Sequence, residues 1–175
     1  EGSFDNGGVF PMVGLSPYES EEDYCRNISF KNIGGVIKLS LTGDHPIGRI
    51  YLSGNSGEPL SGSATVTIGS DGIPSVTMSE DASTFVNLYC DPPVQLDPEV
   101  PTDFYISIPP TEFQTGFTVV ASPSIPVLLG QTYIRRTDKT NSILRSSILT
   151  MPATSLEKLD MEPTPGQWVD LGLNV

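Results

Sequence analysis

Apolar residues recur at every second position in one short run after another, the pattern of strands with a single buried face. The clearest case lies in residues 102–120, where Phe104, Ile106 and Ile108 alternate with Tyr105 and Ser107. Pro109 and Pro110 close that run, because a proline ring has no N–H to give to a ladder. A polar loop over residues 112–116 leads to a second apolar run at 117–120. The whole stretch is predicted to be two strands joined by a proline-entered turn.

The same period predicts about ten strands along the chain. Residues 9–15, interrupted by Pro11 and Gly14, are expected at an edge or lying extended on the core. Residues 27–31 place Ile28 and Phe30 on one face, and residues 36–41 place Ile37, Leu39 and Leu41 on one face, with Gly34 and Gly35 permitting a sharp bend between them. After the turn cluster Gly43-Asp44-His45-Pro46, residues 47–53 resume with Ile50 and Leu52 opposite Arg49 and Tyr51, and an antiparallel pair is the simplest arrangement. Ala64, Val66 and Ile68 run up to Ser70-Asp71-Gly72, a hairpin signal with its return strand at residues 76–78. Residues 83–90 alternate Val86, Leu88 and Cys90 with Phe85, Asn87 and Tyr89. Residues 91–101 contain Pro92, Pro93, Pro98 and Pro101 and are expected to be irregular. Residues 131–137 and 142–151 are the last internal strands, joined by the polar turn Asp138-Lys139-Thr140-Asn141. The one stretch with helical character is residues 155–161, a turn or two at most.

The C-terminus closes on another clean alternation, Val169, Leu171, Leu173 and Val175 against Asp170, Gly172 and Asn174. A strand of that kind has to pair with a sheet, its own or a neighbour's. Short, mainly antiparallel strands with proline and glycine turns and little helix predict an all-β chain folded as a β-sandwich. The expected organisation is a flexible N-terminal edge over residues 1–8, a β-sandwich domain over 9–152, and a C-terminal tail with the terminal strand over 153–175.

Composition narrows the partners. The chain of 175 residues carries 21 Asp plus Glu against 9 Lys plus Arg, a net charge of −12, so a phosphate backbone or an anionic lipid surface repels it and nucleic acid is not expected as a partner. No apolar run reaches the length of a membrane span. Cys25 and Cys90 are the only cysteines, and both a disulfide and two free thiols fit them. The chain shows no signal peptide, and its opening EGSFDNGG reads as a cut edge, which leaves a cytosolic protein or a processed form.

The chemistry-bearing residues point to no reaction. His45 is the only histidine, and without an orienting partner or a nucleophile in an elbow context it reads as a turn residue. Asp91, Asp97, Glu99 and Asp103 could offer oxygen ligands to Ca²⁺, but they lack the spacing and glycine of a calcium loop and read as solvated carboxylates. Trp168 and the tyrosines at 18, 24, 51, 89, 105 and 133 are candidates for a sugar-stacking platform, or for core edges and cross-strand pairs. Arg135-Arg136 is the only dibasic pair and a candidate protease site, and Asn27-Ile28-Ser29 is formally a glycosylation acceptor. No enzyme activity, cofactor or metal is expected.

PMVG at residues 11–14, ISFKNIGGVIKLSLTG at 28–43, RIYLSGNSGEPLSGSATV at 49–66, PTDFYISIPP at 101–110 with GFTVV at 116–120, and ILRSSILTMP at 143–152 resemble, in this order, the fimbrillin-like surface proteins of Bacteroidetes. In the NIGG turn the family pattern has a cysteine where this chain has Gly34. The resemblance implies a β-sandwich of an exported protein at the cell surface, outer membrane or fimbrium, acting in pilus assembly or adhesion. It implies partners among other pilus or surface subunits, a host or glycan ligand, and membrane attachment only through a lipid anchor that this chain does not carry. It also implies assembly by β-strand addition, which makes Val169, Leu171, Leu173 and Val175 the candidate assembly strand. The alternative on the same architecture is a carbohydrate-binding module.

Overall fold

The computed structural model describes residues 2–3, 10–16, 28–123 and 132–158. Its strands are β1 (Gly2–Ser3), β2 (Met12–Leu15), β3 (Ser29–Asn32), β4 (Gly35–Thr42), β5 (Pro46–Gly54), β6 (Ser63–Ile68), β7 (Pro74–Met78), β8 (Phe85–Gln95), β9 (Thr102–Ile108), β10 (Thr111–Phe113), β11 (Phe117–Ser122), β12 (Tyr133–Thr137), β13 (Asn141–Ile143), β14 (Ile148–Thr150), β15 (Thr154–Ser155) and β16 (Glu157–Lys158). The chain is all-β, as its periodicity predicts, and no helix forms among the described residues.

Two sheets make the sandwich. The first runs in the order β16-β12-β11-β5-β8, antiparallel throughout. The second is built on β4. β9 pairs with it antiparallel from Gly35↔Ile108 to Leu41↔Thr102 and so occupies one edge for its full length. β14 and β15 both pair parallel to β4, at Val36 to Lys38 and at Leu41 to Thr42, and therefore lie end to end along the other edge. The inner faces follow the alternation in the sequence: Ile37, Leu39, Leu41, Phe104, Ile106 and Ile108 from the second sheet pack against Ile50, Leu52, Val86, Phe117, Val119 and Ala121 from the first. Each such burial contributes roughly 1.5–3 kcal/mol for a large side chain.

The expected pairing of residues 36–41 with 47–53 does not occur, because β4 and β5 belong to different sheets. Both strands carry apolar faces, and these meet across the sandwich, which leaves their edges to strands distant in sequence. For the same reason β9 and β11 are not partners. The turn after Pro109 and Pro110 carries the chain from one sheet to the other by way of β10, which pairs with β13. Residues 91–101 are more regular than their prolines suggest, since β8 continues through a cis Asp91-Pro92 peptide to Gln95. Prolines fit there because β8 is the outermost strand of its sheet and the register jumps from Arg49↔Tyr89 to Ile47↔Val94, leaving residues 90–93 opposite Gly48 alone.

The helical turn expected from residue 155 is replaced by strands through residue 158. β15 joins β4, β16 joins β12, and Leu156 between them is buried where the chain crosses from one sheet to the other. Two free strand edges within reach outcompete a helix too short to repay its nucleation. Residues 142–151 are likewise split, into β13 and β14, by a turn in which Ser146 takes φ 59°.

A smaller layer sits beside the sandwich. β6 and β7 form the predicted hairpin, with Ala64↔Met78 and Ile68↔Pro74, and β1 adds to β6. The β2–β3 ribbon packs on it through Val13, Ile33, Ala64, Val66, Val76 and Met78, and Lys31 Nζ donates to the Gly72 carbonyl at 2.7 Å. Sheet pairing thus extends beyond residues 9–152, to Gly2–Ser3 and Glu157–Lys158. The terminal alternation at 169–175 lies outside the described residues.

Candidate functional site

The β15–β16 crossover seals only part of the flank where β12 faces the β14–β15 edge. β16 pairs with Tyr133 and Ile134 and stops, so beyond Ile134 β12 has no strand on its outer edge among the described residues. Across from it the second sheet has a gap between Thr150 and Thr154, bridged by Met151 N–H donating to the Lys38 carbonyl at 3.0 Å. Between these two walls lies a groove of about 660 Å³. Leu39, Leu41, Phe117 and Val119 form its floor, and Leu149 and Met151 lean over it half-buried. The floor residues remain 2–3% exposed, so the groove runs along the core without laying it open.

The wall is held by local chemistry. Asn55 Nδ2 donates to the carbonyls of Thr115 at 2.7 Å and Thr137 at 2.9 Å, while its Oδ1 accepts from Thr118 Oγ1 at 2.8 Å, which ties the start of β11 to the end of β12. Gly116 has φ +80° and a Cβ there would overlap the Thr137 carbonyl, so only glycine permits this approach. The rim carries Arg135, paired with Glu157 at 2.7 Å, Arg136, paired with Asp138 at 3.1 Å, and Lys139. An apolar floor, a charge-paired rim and an unpaired strand edge suit an extended chain, which the edge can hydrogen-bond and the floor can receive.

The other candidates do not converge. His45 is 8% exposed and stacks flat on Tyr133, with ring centroids 3.4 Å apart. Neither ring nitrogen has a hydrogen-bond partner, and Nδ1 lies 3.5 Å from Asp44 Oδ1. The turn that holds it is thus a packed one. Asp97 Oδ1 accepts the N–H groups of Glu99 at 2.7 Å and Val100 at 2.8 Å, and the Val100 bond chiefly holds its carboxyl below the usual range. Asp103 accepts from Lys38 at 2.8 Å and Ser40 at 2.6 Å, and the Lys38 bond chiefly lowers it. Asp91 and Glu99 are exposed, and among the described residues no three of His, Cys, Asp and Glu gather to hold a metal.

The aromatic candidates are likewise dispersed. Tyr51 is buried on Phe85, and desolvation pushes its phenol up. Tyr89 and Tyr105 are exposed, each with a cation 5.9 Å from its ring, Arg49 and Lys38, but they lie on the outer faces of different sheets. Arg135-Arg136 sits within β12, paired to Val119 and Thr118, in no position to enter a protease cleft. Cys90 is free, with its thiol pushed up by burial. Tyr18, Tyr24, Cys25, Asn27 and Trp168 lie outside the described residues.

Sequence reasoning missed the groove. Its one local signal is Pro152, which interrupts the edge of β4 between β14 and β15. No family model matches the chain, and no curated protein matches it.

Proposed function

We propose that the protein is a non-enzymatic surface-assembly subunit that receives an extended strand in the groove between β12 and the β14–β15 edge. The observation that carries this reading is that, among the described residues, the edge of β12 beyond Ile134 has no strand partner and lies beside an apolar floor. Main-chain bonds to that edge supply affinity, and alternate side chains turned toward Leu149 and Met151 supply specificity. The resemblance to fimbrillin-like proteins supports an exported location, at the cell surface, outer membrane or fimbrium, and a role in adhesion or pilus assembly with other subunits as partners.

Val169, Leu171, Leu173 and Val175 are the proposed donor, since their alternation in the sequence is that of a strand with one apolar face. β16 runs antiparallel to β12, with Glu157 opposite Ile134 and Lys158 opposite Tyr133, so the chain leaves the last described strand heading away from the open part of the groove. Exchange between molecules is the reading proposed, on the resemblance to proteins that assemble by strand addition.

Sedimentation of the full chain and of a form ending at Pro165, with and without a synthetic peptide of residues 167–175, tests this. The expected result is a folded, monomeric short form that captures the peptide, and a full chain that makes head-to-tail oligomers. A monomeric full chain whose shortened form fails to fold places the strand in its own sheet and overturns the proposal.

A further inference from the structure

A second cleft, of about 220 Å³, opens at the Gly35 end of β4 and shares no lining residue with the groove. Its floor is backbone. Ser146 N–H donates to the Gly34 carbonyl and Val36 N–H to the Ser147 carbonyl, both at 2.9 Å, and a Cβ on Gly35 would collide with the Leu144 carbonyl and the Ile143 side chain. Ser146, at φ 59°, is the only non-glycine residue with positive φ among the described residues, a conformation held where the surroundings demand it. Phe10, 51% exposed, and Ile148, 60% exposed, stand at the walls, with Ser107 and Asn32 between them.

No charged side chain lines this cleft. Arg145 Nη1 donates to the Asn32 carbonyl at 3.0 Å and to Ser146 Oγ at 3.1 Å. One same-face position along β9 from Ser107, about 7 Å away, Tyr105 presents a ring that is 48% exposed. Beside it Lys38 and Asp103 neutralise each other at 2.8 Å.

We propose that the cleft and the Tyr105 surface together bind a neutral oligosaccharide, one sugar ring in the cleft and the next against Tyr105. The cleft, of about 220 Å³, has room for about seven waters at roughly 30 Å³ each, which suits a single pyranose. The Ser107 hydroxyl and the Asn32 amide both donate and accept, as sugar hydroxyls do, and Ser146 Oγ, which accepts from Arg145, keeps its proton to donate. The exposed rings of Phe10 and Tyr105 each suit the C–H face of a sugar ring, and the roughly 7 Å between Ser107 and Tyr105 along β9 suits consecutive units. With no charged side chain in the lining and Lys38 neutralised by Asp103, the cleft favours a neutral ligand over an acidic one. This site does not rest on the strand-addition reading.

The test is a ¹H–¹⁵N titration of the full chain with neutral di- and trisaccharides built from glucose, galactose, mannose and fucose, with sialyllactose as the acidic control. At least one neutral sugar should shift the amide signals of Gly35, Ser107 and Ser146. Phe10→Ala and Tyr105→Ala should each weaken its binding about tenfold while the rest of the spectrum stays in place. No neutral sugar acting at up to about 50 mM, sialyllactose binding equally well, or affinity unchanged in both variants overturns the proposal.

Discussion

The two flanks of the sandwich end differently. On the β8 side the chain seals itself with two loops. Leu60 N–H donates to the Ser83 carbonyl at 2.8 Å, Ser61 Oγ donates to the Phe85 carbonyl at 2.6 Å, and Leu60 is wholly buried against the core. Leu96, bonded to the His45 carbonyl at 3.2 Å, closes the far end of the same flank. On the β12 side, among the described residues, Leu156 between β15 and β16 and Ile143 between β12 and β14 are buried where the chain crosses from sheet to sheet, and the groove lies between these crossings. Among the described residues β8 and β12 both have outer edges without a full strand partner, and what sets the β12 flank apart is the groove with half-buried Leu149 and Met151 at its lip. That asymmetry is what an acceptor of an added strand requires.

The sharpest way to break the comparison is to cut the same amount of apolar side chain from each flank. Leu60→Ala should lower stability by about 2–5 kcal/mol in denaturant unfolding, since the cavity it leaves is fully enclosed. Met151→Ala, at the half-buried lip of the groove, should cost under about 1.5 kcal/mol. Equal losses would mean that the two flanks are equally sealed.

A smaller effect separates the outer face of the second sheet from both flanks. In the folded chain the Lys38 ammonium and the Ser40 hydroxyl hold the Asp103 carboxyl below its usual value. A depressed folded pKa gives a contribution that is complete above the unfolded value of about 3.9 and is lost as pH falls through the lower folded one. Asp103→Asn should therefore flatten the loss of stability on acidification below about pH 4 and change little near neutrality, since both partners are exposed enough for solvent to screen them. An unaltered acid profile would assign that loss to other carboxylates such as Asp97.

Strand identity was legible from local pattern, and strand partnership was not. Ile37, Leu39 and Leu41, like Phe104, Ile106 and Ile108, are buried as their alternation requires, and the Ser70-Asp71-Gly72 hairpin forms where its turn residues place it. The errors have one source. Local pattern pairs adjacent strands such as β4 and β5, but a sandwich lets consecutive apolar strands face each other across the core and pair with distant ones. Pro92 and Pro93 signal an end to β8, because no local rule tells an edge strand with a bulge from a loop. The groove was invisible for a related reason: it is defined by where β16 stops and where β14 and β15 part, and both are facts of non-local pairing. His45 was read as a turn residue on the absence of catalytic partners, and nothing in Gly-Asp-His-Pro signalled its stacking on a tyrosine far along the chain.

The central claim is that the outer edge of β12 accepts a strand, and hydrogen exchange reads it most directly. Of the backbone amides over residues 135–137, those turned away from β11 should exchange freely in the form ending at Pro165 and become protected when the peptide of residues 167–175 is added, with the edges of β7 and β9 unchanged. Protection at β7 or β9 instead, or at no edge, would contradict the account.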